Sequence, residues 1–203
     1  ALEAVGMPTP WHRFIPLERA VAGDVGDLTS APLRHGALLK IVSPEILHKS
    51  DVGGVVRLAA VDAEVVARAV AEMSLSIPAD LWAAARGVLL CEAVPYTATL
   101  GRELLLGLVG SPDFGEVITL GLGGTAVEAL AAATLPGQST ILFKPGCTSL
   151  ARLEQKLEQS LFFRWASGGV RGIKGALEPA ALRNQLGRWT AALDRLCRQV
   201  EEA

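Results

Sequence analysis

Hydrophobic and polar positions along the first half of the chain form strand-like runs separated by a segment with a helical period. The runs 37–42, 54–58 and 87–92 are rich in aliphatic and β-branched residues and are bounded by glycines or polar turns, which predicts three strands. Residues 62–74 space their apolar positions about 3.6 residues apart, as a helix requires, and Asp62 is placed to cap that helix. The pattern predicts a helix packed on these strands.

The second half repeats this alternation. The runs 103–109 and 116–122 predict two more strands joined by a turn at Gly110–Asp113. Helical patterns follow at 126–133, 149–160 and 179–200. The last of these has an apolar stripe formed by Leu182, Leu186, Trp189, Leu193, Leu196 and Val200. The chain is therefore expected to be an α/β or α+β protein whose helices cover sheets.

Composition and charge limit the classes of function. The 203 residues are half apolar and 20% charged, which predicts a folded core of one domain or two packed lobes. A net charge of −2 gives no overall attraction to nucleic acid or anionic membranes. Cys91, Cys147 and Cys197 lack the spacing of a disulfide framework or a zinc site, and no secretion signal or long apolar span occurs. A cytoplasmic protein is expected.

The most informative chemistry lies in residues 40–55, where a strand leads into a loop with basic residues and a glycine pair. Gly53 and Gly54 allow a close backbone approach and offer N–H donors, while Lys40 and Lys49 can pair with phosphoryl oxygens. A neutral His48 imidazole is a nucleophile that can accept a phosphoryl group. Taken singly, each residue is more typical of a turn, a solvated strand end or a surface or buried structural histidine than of a binding site. Their combination favours a phosphate site.

This stretch resembles the signature of the ATP-grasp domain in NDP-forming acyl-CoA synthetases, which include ADP-forming acetate–CoA ligase and are related to succinyl-CoA synthetase. Further similar segments follow in the family's order at 88–94, 103–107, 114–117, 121–128 and 169–172. The resemblance implies an ATP-grasp fold with a nucleotide cleft between two sheet-and-helix subdomains. These would be residues 1–90 and residues 91–203, the second ending before the family's final metal-binding motif.

The resemblance also implies roles for individual residues. ATP or another nucleotide is the expected cofactor, and His48 is the expected catalytic residue that relays phosphate. The implied cofactor-binding positions are Lys40, Lys49, Gly53, Gly54, Glu92, Glu103, Gly123 and Gly124. Glu128 is a candidate metal ligand, although a carboxylate in a helix's first turn is also favoured by the helix dipole. For Gly121–Gly124, a strand-to-helix turn capped by Thr125 is an equally open interpretation.

Three positions depart from the family's pattern. Gly110 and Ser111 stand where the family usually has an Arg-Asp pair, and Ala132 falls where an aspartate is normal. Because Mg²⁺ needs oxygen ligands to bridge nucleotide phosphates, losing carboxylates weakens metal binding and catalysis.

Two main functions follow as hypotheses. The first is the ATP-binding part of an acid–CoA ligase that couples acyl-CoA formation or cleavage to a nucleotide through acyl phosphate and phosphohistidine. Its partners would be an acyl substrate and a CoA-binding Rossmann-type domain or subunit, since no dinucleotide fingerprint occurs here. The alternative is a noncatalytic ATP-grasp module for nucleotide sensing or assembly in a larger synthetase- or acetyltransferase-like protein. Ligation of an amine to an acyl phosphate is a third, weaker hypothesis.

Overall fold

The structure, a computed structural model, describes residues 2–97, 102–124, 127, 132–135, 138–146, 150–172, 175 and 177–201. Contacts divide the chain into a first unit, Thr9–Pro95, and a second unit that combines Ala1–Pro8 with Tyr96–Ala203. This division falls five residues after the boundary expected at residue 90 and assigns the start of the chain to the second unit. That the units correspond to the two ATP-grasp subdomains stays a prediction.

The first unit is built on a four-stranded antiparallel sheet. Its strands are β1 (His12–Pro16), β2 (Ala37–Val42), β3 (Val55–Leu58) and β4 (Gly87–Glu92), in the spatial order β1-β4-β2-β3. The three strands predicted from their aliphatic and β-branched runs are confirmed, whereas β1 was not predicted. Because both neighbours of β2 run antiparallel to it, the chain has α+β rather than parallel α/β character.

One face of this sheet forms the core of the first unit. Leu39 and Ile41 of β2 are fully buried, as are Val88 and Leu90 of β4. The helices here are α1 (Leu17–Val21), α2 (Ala63–Ser76) and α3 (Ala79–Ala83). The apolar stripe of α2 joins the same core cluster through Val66, Ala69, Val70 and Met73.

The ends of α2 follow from local chemistry. Asp62 Oδ1 accepts a hydrogen bond of 2.8 Å from the Val65 N–H, so the predicted N-cap is confirmed. The helix ends before Ile77, which adopts extended backbone and precedes Pro78.

The second unit contains a three-stranded antiparallel sheet and helices. β5 (Leu104–Ser111), β6 (Gly115–Leu122) and β7 (Thr140–Phe143) lie in that order. The predicted strands β5 and β6 are confirmed, but β5 continues through Ser111 and the turn lies at Pro112–Phe114. The turn was expected at Gly110–Asp113. In the structure Gly110 instead pairs with Glu116 inside the ladder.

Three helices of the second unit pack on one face of its sheet. They are α4 (Leu150–Gln159), α5 (Leu161–Ala166) and α6 (Pro179–Glu201). The predicted stripe of α6 is confirmed by burial of Leu182, Leu186 and Leu193, which share a core with Ile118 and Phe162. Trp189 and Leu196 pack against that core, and the side chain of Val200 lies outside what the structure describes.

Two expectations from the sequence concern residues outside the described part of the chain. These are the helix cap at Thr125 and the metal ligand at Glu128, and the structure tests neither of them. In the part of the chain that is described, no helix has the length and apolar character needed to cross a membrane.

Candidate functional site

Lys40 lies on the sheet face that is turned away from the core. Its neighbours in register are Val55 on β3 and Leu89 on β4. Directly opposed residues in an antiparallel sheet point to the same side, so the register defines a complete surface. We call it the outer face, and it is formed by His12, Phe14, Pro16, Leu38, Lys40, Val42, Val55, Arg57, Gly87, Leu89 and Cys91. Lys40 is half-buried there, in a position to neutralise an anion resting on the sheet.

Cys91 lies beside Lys40 on the outer face and is affected by its charge. Burial raises the pKa of the Cys91 thiol above its usual range, and the positive charge of Lys40 partly lowers it again. The two residues are diagonal neighbours, because Cys91 pairs with Leu38. The charge of the Lys40 ammonium group is therefore felt by the Cys91 thiol on the same side of the sheet.

The loop between β2 and β3 returns to the sheet beside Lys40. Gly54 O accepts a 2.8 Å hydrogen bond from Ile41 N, and the next residue, Val55, is paired with Lys40. His48 lies exposed in this loop, and Lys49 beside it is half-buried. The topology thus places the predicted phosphate-relay histidine on the loop that leaves the Lys40 end of the sheet.

The glycine pair closes this loop. Gly53 N donates to Ser50 O at 3.3 Å, and Gly54 N donates to Lys49 O at 2.7 Å. The expectation that these two N–H groups are available to a phosphate is therefore not met in this structure, because carbonyls of the loop already use them. Gly53 has φ +72°, a conformation that favours glycine.

At Gly54 the requirement for glycine is steric, because a larger residue would not fit against β2. A Cβ atom at this position would lie 2.5 Å from Ile41 Cγ2 and 2.9 Å from Lys49 O. Glycine thus lets the loop pack directly against β2.

Glu92 ends β4 and is tied to the chain before β1. Its Oε2 atom accepts a 3.3 Å hydrogen bond from Trp11 N, and its own N–H donates to Trp11 O at 2.8 Å. Trp11 is in turn stacked with the Arg13 guanidinium, 5.4 Å from the ring centroid. One carboxylate oxygen is thus engaged, and the implied cofactor-binding role of Glu92 stays a prediction.

Glu103, Gly123 and Gly124 come together in the second unit. Gly123 N donates to Glu103 O at 2.9 Å, extending the β5–β6 ladder by one bond. Gly124 has φ +87°, and a Cβ atom there would collide with the Glu103 carboxylate. Gly124 O also accepts a hydrogen bond from the backbone N–H of Val127, which is helical.

Two of the positions that depart from the family's pattern, Gly110 and Ser111, lie far from Glu103. Gly110 and Ser111 occupy the turn end of the β5–β6 hairpin, whereas Glu103 precedes its open end. The eight residues from Leu104 to Ser111 span about 23 Å of extended strand. Ala132 is helical and exposed. Among the described residues, no group of three His, Cys, Asp or Glu side chains is arranged to hold a metal.

The predicted site residues are divided between the two units. The first unit holds Lys40, His48, Lys49, Gly53, Gly54 and Glu92, and the second holds Glu103, Gly123 and Gly124. Within the first unit Glu92 is in register with the buried Ala37, so it lies on the other side of the sheet from Lys40. Sequence reasoning missed Trp11 as the partner of Glu92 and Cys91 as the neighbour of Lys40. Both relations depend on strand register between distant segments, for which the sequence carries no local signal.

The sequence model of the ATP-grasp domain family matches residues 2–142. This match covers more than half of the chain, and the chain belongs to the ATP-grasp domain family. The expected family and fold are thereby confirmed.

Similar proteins show to which group of ATP-grasp proteins the chain is related. The beta subunit of acetate–CoA ligase [ADP-forming] I from Pyrococcus furiosus is 33% identical over 133 residues, which are 64% of this chain and 52% of that subunit. 4-Hydroxybutyrate–CoA ligase [ADP-forming] from Nitrosopumilus maritimus is 35% identical over 131 residues, covering 64% of this chain and 17% of that protein. The chain is thus homologous to the ATP-grasp part of ADP-forming acyl-CoA ligases. It spans about half of the subunit and a smaller share of the longer enzyme.

Solved structures agree. The dinucleotide-forming acetyl-coenzyme A synthetase 1 of Ca. Korarchaeum cryptofilum, in complex with coenzyme A, Ca-AMPCP and HgCl⁺, has a TM-score of 0.63 and 26% identity, covering 94% of this chain and 75% of that one. A complex of the same synthetase with coenzyme A and Mg-AMPPCP has a TM-score of 0.54 and 27% identity, covering 94% and 73%. In the latter a phosphohistidine segment points towards the nucleotide binding site.

Proposed function

We propose that this chain is the nucleotide-binding part of an ADP-forming acid–CoA ligase, which couples acyl-CoA formation or cleavage to ATP through an acyl phosphate and a phosphohistidine. The observation that carries the proposal is the family match over residues 2–142 together with Lys40 on the outer face beside the His48 loop. Lys40 binds the phosphates of the nucleotide, and its positive charge offsets theirs.

His48 is the residue that receives and passes on the phosphoryl group. Its exposure supports this role, because a phosphate carrier has to be reached by donor and acceptor in turn. The imidazole attacks the γ-phosphorus of ATP, the bond from that phosphorus to the β–γ bridging oxygen breaks, and ADP leaves with the electron pair. In the reverse direction phosphohistidine transfers its phosphoryl group to ADP. Glu92, Lys49, Glu103, Gly123 and Gly124 are further proposed contacts of the nucleotide.

A divalent cation accompanies the nucleotide. The related synthetase was solved with calcium and magnesium complexes of nucleotide analogues, which supports this part of the proposal. When bound, such a cation shields the negative charge of the phosphates.

The CoA and acyl sites lie on a Rossmann-type domain or subunit that cooperates with this chain. Two facts support a partner: the chain spans about half of the related subunit, and that relative is itself one subunit of its enzyme.

Labelling with [γ-³²P]ATP and Mg²⁺ tests the proposal. The label should remain on the protein at high pH, be lost in acid as a phosphoramidate requires, and be absent from His48→Asn. The matched control is His35→Asn, which changes another exposed histidine of the first unit outside the loop. Label that persists in His48→Asn, or that resists acid, contradicts the relay. Nucleotide binding with no labelling of the wild-type chain supports the noncatalytic module instead.

A further inference from the structure

The outer face carries a second cation that no motif identifies. Arg57 lies on β3 in register with Leu38, and Lys40 is in register with Val55. Lys40 and Arg57 are therefore diagonal neighbours on the same side of the sheet, with backbones about 7–8 Å apart. Both side chains are long enough to converge on one polyanion.

The eleven residues of the outer face include no carboxylate. In the ranges that the structure describes, neither Lys40 nor Arg57 makes an ion pair or a side-chain hydrogen bond. Cationic groups without partners beside one another repel, which disfavours this arrangement until an anion binds.

Arg57 also borders a cavity of about 350 Å³ at the free edge of β3. The other charged residues lining it are Arg68 and Glu72 of α2. A carboxylate is thus available to a guanidinium in that cavity, whereas the outer face offers it none. An anion gains most where no protein carboxylate competes with it, which favours the outer face.

We propose that Arg57 is a second phosphate-binding residue of the nucleotide site, acting together with Lys40 on the outer face. This inference rests on the proposed nucleotide-binding function and extends it to a residue outside the family signature. A planar guanidinium can hold two oxygens of one phosphate, so Arg57 contributes direction as well as charge.

Calorimetric titration with ATP and Mg²⁺, and separately with adenosine, tests this role. Arg57→Ala should weaken ATP binding by about 10- to 100-fold, the usual loss for a charged hydrogen bond. Adenosine binding should not change, because adenosine has no phosphate. Arg57→Lys should recover part of the ATP affinity. Arg68→Ala removes the other arginine that lines the cavity at β3 but takes no charge from the outer face, so it is the matched control and should bind ATP like the wild type.

The outcomes separate this inference from the function on which it rests. If Lys40→Ala loses ATP affinity while Arg57→Ala keeps it, the role of Arg57 is refuted and nucleotide binding stands. If Arg57→Ala weakens ATP and adenosine equally, the residue supports the fold instead of the phosphates, and the inference is refuted as well. If the wild-type chain binds no nucleotide, the proposed function itself fails.

Discussion

Replacing Gly54 by alanine is expected to destabilise the first unit and to disturb the His48 loop. The added methyl group would lie 2.5 Å from Ile41 Cγ2 and 2.9 Å from Lys49 O. Neither neighbour can move freely. Ile41 is fully buried in the core, and Lys49 O is held by the 2.7 Å hydrogen bond from Gly54 N itself.

The size of the effect follows from overpacking. Forcing a methyl group into a well-packed site typically costs about 1–3 kcal/mol, here as a loss in the free energy of unfolding. In a chain of this length each kcal/mol lowers the melting temperature by about 2–4 °C. Relief would require the loop to move away from β2, because the alternative is to displace a core side chain.

Urea denaturation followed by circular dichroism measures the loss. Gly110→Ala is the matched control, since a Cβ atom there meets nothing within 4 Å. Its glycine lies within strand β5, so alanine is expected to leave stability unchanged or to raise it by up to about 1 kcal/mol. If Gly54→Ala unfolds at the same urea concentration as the wild type, the close packing of the loop on β2 is refuted.

Three further predictions use the same structure. Asp62→Ala should lower the free energy of unfolding by about 1 kcal/mol and Asp62→Asn by less, because asparagine also caps; equal losses in urea titrations would contradict the cap. Phe162→Ala should cost about 3–5 kcal/mol because the ring is fully buried, and a loss below 1 kcal/mol would contradict that burial. At pH 8, Cys91 should react with iodoacetamide more slowly than a model thiol, and more slowly still in Lys40→Ala, because burial raises its pKa and the lysine opposes that shift; faster alkylation of the variant, followed by peptide mapping, would refute the contact.

The elements that were predictable carry their signal locally. β2, β4 and α2 follow from aliphatic and β-branched runs, from a 3.6-residue pattern and from a cap within one turn. β1 was missed because its five residues contain two basic side chains and a proline. It is a strand because it pairs with β4, far along the chain.

The candidate site likewise has some features that the local sequence predicts and others that depend on distant parts of the chain. The loop with His48 and its glycines was recognisable because its residues are contiguous. The sequence did not predict that Lys40, Cys91 and Arg57 lie close together on one face, because strand register depends on distant segments of the chain. The internal hydrogen bonds of Gly53 and Gly54 were also beyond a sequence argument, because glycine pairs serve equally as ligand cradles and as turns.

Titration calorimetry of ATP with Mg²⁺ into the wild-type chain and into Lys40→Ala tests whether the nucleotide binds on the outer face. One nucleotide should bind per wild-type chain, and the affinity should be at least about tenfold lower in the variant, because one charged contact to the phosphates is lost. Equal affinities for the two proteins would contradict this prediction, since the sheet face built around Lys40 would then not be where the nucleotide binds.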